Sequence, residues 1–186
     1  KLVTHHWGGN WMKGFDIYQK LDRMMGDPAW AGKIEFTYIG NVPKNFVFEN
    51  AQLLAPMDAQ HLADELRSHH VYVTGSINEP GGNHQNEGAL CGLPLVYRNS
   101  GCMPEYCDGF GVMFDGPDDF EGALERMRDE YETWRARVAV YPCTTERTVQ
   151  NYLELIQTLH QDRENLLQSR HIWRNPLAFL LNQFPL

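Results

Sequence analysis

Short apolar runs alternate along the chain with segments in which apolar residues recur at helical spacing. Strand-like runs are predicted over residues 1–7, 34–40, 51–56, 71–76, 94–99 and 109–114. Helical patterns are predicted over residues 15–25, 58–69, 83–91 and 120–134. Buried parallel strands give continuous apolar runs, and neighbouring parallel strands need crossover helices between them. The alternation predicts an α/β fold with three layers, in which helices cover both faces of a doubly wound, Rossmann-like parallel sheet.

The remaining segments are less regular. Residues 42–50 show no clean period, and we predict a loop or short hairpin there. Beyond Thr144, five apolar residues mark one face of a further helix: Val149, Tyr152, Leu153, Ile156 and Leu159. Because 186 residues with 42% hydrophobic content suit a single core, we expect one domain over 1–186, with 163–186 as an apolar C-terminal tail.

Composition limits which binding partners and which cellular compartment are expected. A formal net charge of -8 opposes the basic surface that nucleic acids and anionic membranes require, so neither is an expected partner. No apolar run approaches the roughly 20 residues of a transmembrane segment, and no export signal opens the chain. Four cysteines in a chain of this size favour reduced thiols and a cytoplasmic protein, with a secreted, twice-bridged chain as the alternative. Because the chain begins at Lys1 within a strand-like run, we expect a fragment of a longer protein.

Candidate chemistry follows the strand predicted over 71–76. A turn containing Gly81 and Gly82 precedes a helix, and Glu79 and Glu87 stand on either side of these glycines. Ligands of doubly wound sheets bind at the carboxyl ends of the strands, and backbone amides at a helix start favour phosphate or sugar oxygens. A carboxylate accepts two hydrogen bonds from a vicinal diol, so the two glutamates suit the ribose and hexose of one ligand. The alternative from spacing alone is a loop acid and a solvated helix residue.

The segments that carry this chemistry resemble the C-terminal domain of group 1 glycosyltransferases with the GT-B fold. The family has two glutamates separated by seven residues, then a small residue, a glycine, a proline and a valine-rich strand. The matching segments here are Glu79-Pro80-Gly81-Gly82, Glu87, Gly92-Leu93-Pro94-Leu95-Val96, Gly101-Cys102-Met103-Pro104-Glu105 and Lys13-Gly14. Several ordered elements agree, so the resemblance is more specific than one short motif.

The resemblance implies a role for each matching residue. Lys13 and Glu79 are the expected catalytic residues: Lys13 neutralises the diphosphate as it departs, and Glu79 binds hydroxyls of the donor sugar. Glu87 is expected to bind the ribose diol. The amides of Gly81, Gly82 and Asn83 are expected to approach the sugar and diphosphate. No metal or other cofactor is expected, since the nucleotide-sugar is a substrate.

One departure concerns the loop before Lys13. Many relatives carry an arginine there, whereas residues 7–12 of this chain hold no cation. Three explanations stay open: the amides of Gly8 and Gly9 form an anion-binding nest, another domain supplies the charge, or transfer is weak. The nucleotide base is expected near the ends of the second and third strands, at Gly40, Asn41 and Pro56.

Other candidate residues carry less weight. Neighbouring strand residues point to opposite faces, so at most one of His5 and His6 is expected to face a ligand. The spacing of Cys102 and Cys107 is not the tight pair of a structural zinc site, so packed thiols are expected. The Gly109-Phe110-Gly111 segment opens a strand, whereas a dinucleotide fingerprint follows one.

The leading hypothesis is a glycosyltransferase donor domain that supports retaining transfer from a nucleotide-diphospho-sugar. The resemblance implies that a separate N-terminal GT-B domain, not contained in this chain, holds the acceptor. Five apolar tail residues are either a docking segment for that domain or part of a final helix on this domain's own core: Ile172, Trp173, Leu177, Phe179 and Leu180. The other hypotheses are a non-catalytic nucleotide-sugar-binding module and another α/β enzyme, such as an epimerase or a phosphorylase.

Overall fold

The computed structural model describes residues 1–169 and 175–183. Six strands form one parallel sheet in this part of the chain: β1 Leu2–His6, β2 Phe36–Gly40, β3 Gln52–Leu54, β4 Val71–Thr74, β5 Leu95–Arg98 and β6 Gly111–Phe114. The α-helices are α1 Phe15–Gly26, α2 Ala59–Arg67, α3 His84–Leu90, α4 Met103–Cys107, α5 Phe120–Asp129, α6 Tyr131–Val138, α7 Thr145–Gln161, α8 Arg163–Ser169 and α9 Pro176–Leu181. A short 3-10 helix, Trp11–Lys13, precedes α1.

The strand order is β3-β2-β1-β4-β5-β6, and every neighbouring pair is parallel. The chain moves outwards from β1 to β3, then crosses back to β4 on the other side of β1. The direction of strand order therefore reverses between β1 and β4. This reversal defines a doubly wound, Rossmann-like sheet, so the fold class predicted from the sequence is confirmed.

Two hydrophobic cores lie on opposite faces of this sheet, because successive strand residues point in opposite directions. On β4, Val71 and Val73 join the core that also contains buried residues of α1 and α5. The residue between them, Tyr72, joins the core built with α2, α3 and α4. Helices thus cover both faces, and the predicted three-layer arrangement is confirmed.

The helical segment predicted over 120–134 is two helices, α5 and α6, separated at Glu130. The residues of α5 that are buried belong to one core, whereas α6 places Trp134 in that core and Val138 in the other. The chain changes direction at Glu130 because α5 packs on one core only, whereas α6 runs from that core to the other. The α4 helix was not predicted because its five residues are too few to show a period. Residues 42–50 form a loop without strand or helix.

Two compact units divide the chain: Lys1–Cys143, which contains the sheet, and Thr144–Leu186. In the second unit, the apolar positions from Val149 to Leu159 fall on α7, as predicted. Leu177, Phe179 and Leu180 lie on α9, whereas Ile172 and Trp173 lie outside the described residues. A single domain over 1–186 with an apolar tail over 163–186 stays a prediction. No helix in the described part of the chain is both long enough and apolar enough to cross a bilayer.

Candidate functional site

The connections that follow β1 and β4 meet at the point where strand order reverses. The backbone amide of Ile77, after β4, donates to the carbonyl of Met12, after β1, over 2.7 Å. Crevices at such reversal points are the usual ligand sites of doubly wound sheets, because the two connections leave the strands in opposite directions. The candidate residues Lys13 and Glu79 belong to these two connections.

Lys13 and Glu79 form an ion pair across the reversal point. The Lys13 ammonium donates to Glu79 Oε2 over 2.6 Å, and the two side chains are 24% and 12% exposed. Partial burial strengthens the attraction between two charges, because less water screens it. The structure therefore places the two predicted catalytic residues together, as a cation and a carboxylate in contact at the reversal point.

Two glycines allow the connections to approach this closely. Gly14 has a φ of 95°, and a Cβ at this position would lie 2.3 Å from the backbone of Gly75. Gly75 directly follows β4 and packs against Gly14 in return. A side chain at position 14 would push the two connections apart and separate Lys13 from Glu79.

Glu87 occupies the first turn of α3 and is held by His5 at the end of β1. The distance from His5 Nε2 to Glu87 Oε2 is 2.6 Å. This hydrogen bond lowers the pKa of the Glu87 carboxyl, against the opposing effect of partial burial. The carboxylate is therefore ionised at neutral pH, and its side chain is 49% exposed, so it can accept hydrogen bonds from a ligand.

Two further histidines, His6 and His84, form a buried layer beneath the crevice. Their ring centroids are 4.6 Å apart. His6 Nε2 lies 2.7 Å from the hydroxyl of Tyr18, and His84 Nε2 lies 2.9 Å from Oγ1 of Thr74. Burial lowers the pKa of His84 to about 3 and holds that of His6 well below its usual range. Both rings are neutral at pH 7 and bonded to protein hydroxyls.

The residues predicted to lie near the nucleotide base are at or just after the ends of β2 and β3. Gly40 and Pro56 line a small pocket together with His5 and neighbouring residues of β1, β2 and α2. Gly40 has a φ of 129°, and a Cβ there would lie 1.9 Å from the His6 carbonyl oxygen. The Asn41 side chain donates to the Trp7 carbonyl over 2.7 Å, so it braces the pocket. His5 thus borders both this pocket and Glu87.

The glycines of the β1–α1 loop differ in their surroundings. Gly8 lies beside Lys13, since a Cβ at Gly8 would be 3.6 Å from Lys13 Cε, an ordinary contact distance. A Cβ at Gly9 would lie 2.5 Å from the Val42 carbonyl oxygen, so close packing requires glycine there. Gly8 therefore lies beside the Lys13 side chain. At position 9, close packing alone requires glycine, whether or not a ligand binds there.

The turn before α3 is partly open. Gly81 is exposed with no atom near its hypothetical Cβ, and Asn83 is also exposed. A Cβ at Gly82 would lie 2.8 Å from the His84 ring and 3.0 Å from Glu79 Cγ. Gly82 thus lets the turn lie flat against both side chains.

The cysteines pack in or against one hydrophobic core, the one that contains Tyr72 and Leu95. All four cysteines are unpaired, and burial raises the pKa of the Cys107 thiol. Over residues 1–169 and 175–183, no group of three or more His, Cys, Asp or Glu side chains is arranged to hold a metal ion.

Solved structures of glycosyltransferases share this architecture. The pneumococcal O-GlcNAc transferase GtfA, solved with UDP and GlcNAc, aligns at a TM-score of 0.65 and 15% identity, covering 87% of this chain and 36% of that chain. Sucrose-phosphate synthase from Thermosynechococcus elongatus aligns at 0.62 and 17% identity, over 86% of this chain and 45% of that one. The fold is that of a GT-B domain.

The catalytic domain of starch synthase IV from Arabidopsis thaliana, solved with ADP and acarbose, has a TM-score of 0.61 and 17% identity over 84% of this chain and 37% of that one. This chain spans less than half the length of each of these three proteins. No protein-family profile and no curated protein sequence matches the chain significantly. The likeness therefore concerns the fold, and it confirms the predicted GT-B architecture.

Several residues that build the site were not predicted from the sequence. The hydroxyl of Tyr72 lies 3.1 Å from His5 Nδ1, and Arg98 donates to the carbonyl of Gly75 over 3.0 Å. Arg98 also pairs with Asp16 at the start of α1. For Gly75, its position directly after a strand could have indicated a role in the site. For Arg98 and Tyr72 no such signal exists, because their partners lie far away in sequence.

Proposed function

We propose that this chain is the donor-binding domain of a glycosyltransferase. It binds a nucleotide-diphospho-sugar and presents the sugar to an acceptor held by an N-terminal GT-B domain. The observation that carries the proposal is the Lys13–Glu79 ion pair at the strand-order reversal of a GT-B fold. The fold alone supports many chemistries, so the function is argued from these two side chains.

Lys13 suits the leaving group of sugar transfer. Departure of a nucleoside diphosphate builds negative charge on a phosphate oxygen, and a fixed cation stabilises that charge most in the transition state. Glu79 compensates the charge of Lys13. When a donor binds, its diphosphate takes over part of this role and leaves Glu79 oxygens free to accept hydrogen bonds from sugar hydroxyls.

Glu87 and the neighbouring strand ends are the proposed nucleoside site. Glu87 is an exposed, ionised acceptor for the ribose diol, and His5 links it to the pocket lined by Gly40 and Pro56. In this arrangement the base lies over the ends of β1 and β2, with Asn41 behind it. The diphosphate then extends past Gly8 and the exposed turn of Gly81, Gly82 and Asn83 towards Lys13.

The rest of the proposed reaction rests on the resemblance to group 1 GT-B enzymes. That resemblance implies transfer with retention of the anomeric configuration, without a nucleophilic side chain of this chain and without a metal or other cofactor. Four unpaired cysteines support a cytoplasmic setting. Leu177, Phe179 and Leu180 on α9 are candidates for contact with the N-terminal domain.

A nucleotide-sugar-binding module without turnover is the second candidate. Lys13 is the only cation within residues 7–13, and a single cation stabilises the departing diphosphate less than two would. A turnover assay on the longest natural form of the protein separates the two functions. Release of nucleoside diphosphate together with sugar transfer supports the enzyme, whereas tight donor binding without either product supports the module.

Calorimetry with paired ligands tests the roles of the carboxylates. Glu87→Ala is expected to weaken binding of both a nucleoside diphosphate and its sugar-bearing form, because both contain ribose. Glu79→Ala is expected to weaken only the sugar-bearing form. Glu132→Ala removes a carboxylate that is 81% exposed on α6, and it serves as the matched control. Unchanged affinities for both ligands in both glutamate variants would refute the proposed roles.

A further inference from the structure

A buried chain of hydrogen bonds runs from Tyr72 through His5 to Glu87. His5 is 5% exposed, and its Nε2 lies 2.6 Å from Glu87 Oε2. Its Nδ1 lies 3.1 Å from the Tyr72 hydroxyl. The chain joins β4, β1 and α3, and it ends on a carboxylate that faces solvent. Within the described residues, no hydrogen bond reaches the second oxygen of that carboxylate, Oε1.

Glu87 decides which nitrogen of His5 carries a proton, because the ionised carboxylate beside Nε2 can only accept a hydrogen bond. The Tyr72 oxygen accepts a hydrogen bond from the backbone amide of His5 over 3.2 Å, and its own proton faces Nδ1 at 3.1 Å and the His5 carbonyl oxygen at 3.4 Å. Burial raises the pKa of Tyr72 well above its usual range, so the hydroxyl keeps that proton. Nε2 of His5 therefore carries the hydrogen that points at Glu87, while Nδ1 faces the Tyr72 hydroxyl.

Tight packing holds Tyr72 in this position. A Cβ at Gly88 would lie 2.5 Å from the Tyr72 ring, so glycine next to Glu87 allows α3 to rest directly on the ring. The His5 and Tyr72 rings meet edge to face with centroids 5.6 Å apart. The donor on His5 is therefore held rigidly, and it fixes the orientation of the more exposed glutamate.

A fixed carboxylate matters for recognition of a diol. Two vicinal hydroxyls donate in parallel only when both carboxylate oxygens lie in a defined plane, and a free glutamate on a helix surface loses side-chain entropy to adopt it. His5 holds one oxygen in place before the ligand arrives. The imidazole also borders the pocket lined by Gly40 and Pro56, so the same ring touches both the proposed base region and Glu87.

We infer that His5, oriented by Tyr72, is a positioning residue that sets Glu87 for a ribose diol and makes the site selective for ribonucleotides. The inference rests on the proposed function, because it assigns Glu87 to the ribose of a nucleoside diphosphate. His5 and Tyr72 lie outside the glutamate motif and the β1–α1 loop. The feature of the ligand that this pair selects is the ribose diol.

The test compares ribose with a sugar that lacks the diol. The wild-type protein is titrated with UDP, ADP, GDP and CDP, and the tightest binder is then compared with its 2′,3′-dideoxy form. His5→Leu keeps bulk but removes the donor, so we expect about tenfold weaker binding of the ribonucleotide and a much smaller loss with the dideoxy form. His5→Gln can place its amide donor near the position of Nε2 and is expected to recover most of the affinity.

Tyr72→Phe provides a second variant that keeps the buried ring and removes only the hydroxyl. It is expected to weaken ribonucleotide binding by a smaller factor than His5→Leu, again with a much smaller loss with the dideoxy form. Equal losses on both ligands, or no loss on either, would overturn the inference while leaving the proposed function intact if Glu87→Ala still weakens ribonucleotide binding. If the wild-type protein bound none of the four diphosphates, the proposed function itself would fail, and the inference with it.

Discussion

Lys13 Nζ and Glu79 Oε2 lie 2.6 Å apart although the two residues are 66 positions apart in the chain. The contact exists because β1 and β4 are neighbours in the sheet while their following connections turn to opposite faces. A cation and an anion are thereby concentrated at one point of the crevice. Single substitutions, followed by binding and unfolding measurements, test the roles of the residues around this contact.

Lys13→Ala is expected to weaken nucleoside diphosphate binding roughly ten- to hundredfold, because a charge-assisted hydrogen bond to phosphate is lost. Binding of the free nucleoside should change little. Isothermal calorimetry with both ligands measures the difference. Lys33→Ala is the control, since Lys33 is exposed and lies before β2, at the amino ends of the strands, whereas Lys13 lies beyond their carboxyl ends. Equal losses on the nucleoside and the diphosphate would contradict the charge argument.

Gly14→Ala is expected to lower the free energy of unfolding more than Gly32→Ala. Both glycines have positive φ, 95° and 73°, so alanine is strained by about 1 kcal/mol or more at either position. Only Gly14 faces a close neighbour, whereas no atom lies within 4 Å of the Cβ position at Gly32. Urea denaturation of both variants isolates the steric contribution of the Gly14–Gly75 contact. Similar midpoints for the two variants would show that this contact can relax.

Asp16→Ala is expected to destabilise the protein by about 3 kcal/mol, because it leaves the buried guanidinium of Arg98 without its anionic partner. The Arg98 side chain is 6% exposed, and Nε of the same group already has no hydrogen-bond partner among the described residues. The matched control is Asp64→Ala, whose pair with Arg67 is exposed and should contribute at most about 1 kcal/mol. Both effects are read from urea denaturation curves. A loss of less than about 1 kcal/mol in Asp16→Ala would show that water or another group reaches Arg98.

Acid is expected to destabilise the fold through His84. Its pKa of about 3 in the folded chain lies below the ordinary value of 6.5, so the unfolded chain binds the proton more tightly. This contribution to stability is present above pH 6.5 and declines as the pH falls towards 3. Between pH 7.5 and 5.5 the free energy of unfolding should drop by about 1 kcal/mol from this group alone.

The matching measurement is urea denaturation at pH 7.5 and 5.5. His84→Gln, which keeps a polar group near Thr74, should lose about 1 kcal/mol less than the wild type over this range. His61→Gln is the control because the His61 side chain is 77% exposed. An identical pH dependence in His84→Gln and the wild type would mean that His84 is not buried in its neutral form.

Local patterns were sufficient for the strands. Parallel strands covered on both faces are continuous apolar runs, and all six observed strands fall within predicted runs. The helical period did not predict the break at Glu130. Tertiary packing causes that break, because α6 contacts both cores. In the candidate site, Lys13, Glu79 and Glu87 stand in recognisable local motifs, whereas His5 and Tyr72 carry no local signal of their contact.

The sequence by itself determined the doubly wound fold and the positions of the paired glutamates, because both depend on periodicity and spacing over a few residues. Only the tertiary structure decided which side chains meet. Glu79 contacts Lys13, Glu87 contacts His5, and Gly14 contacts Gly75, each across more than 60 positions of sequence. Such contacts follow from strand order and from the direction in which each connection leaves the sheet. They arise from the packing of the whole sheet, which no short segment encodes.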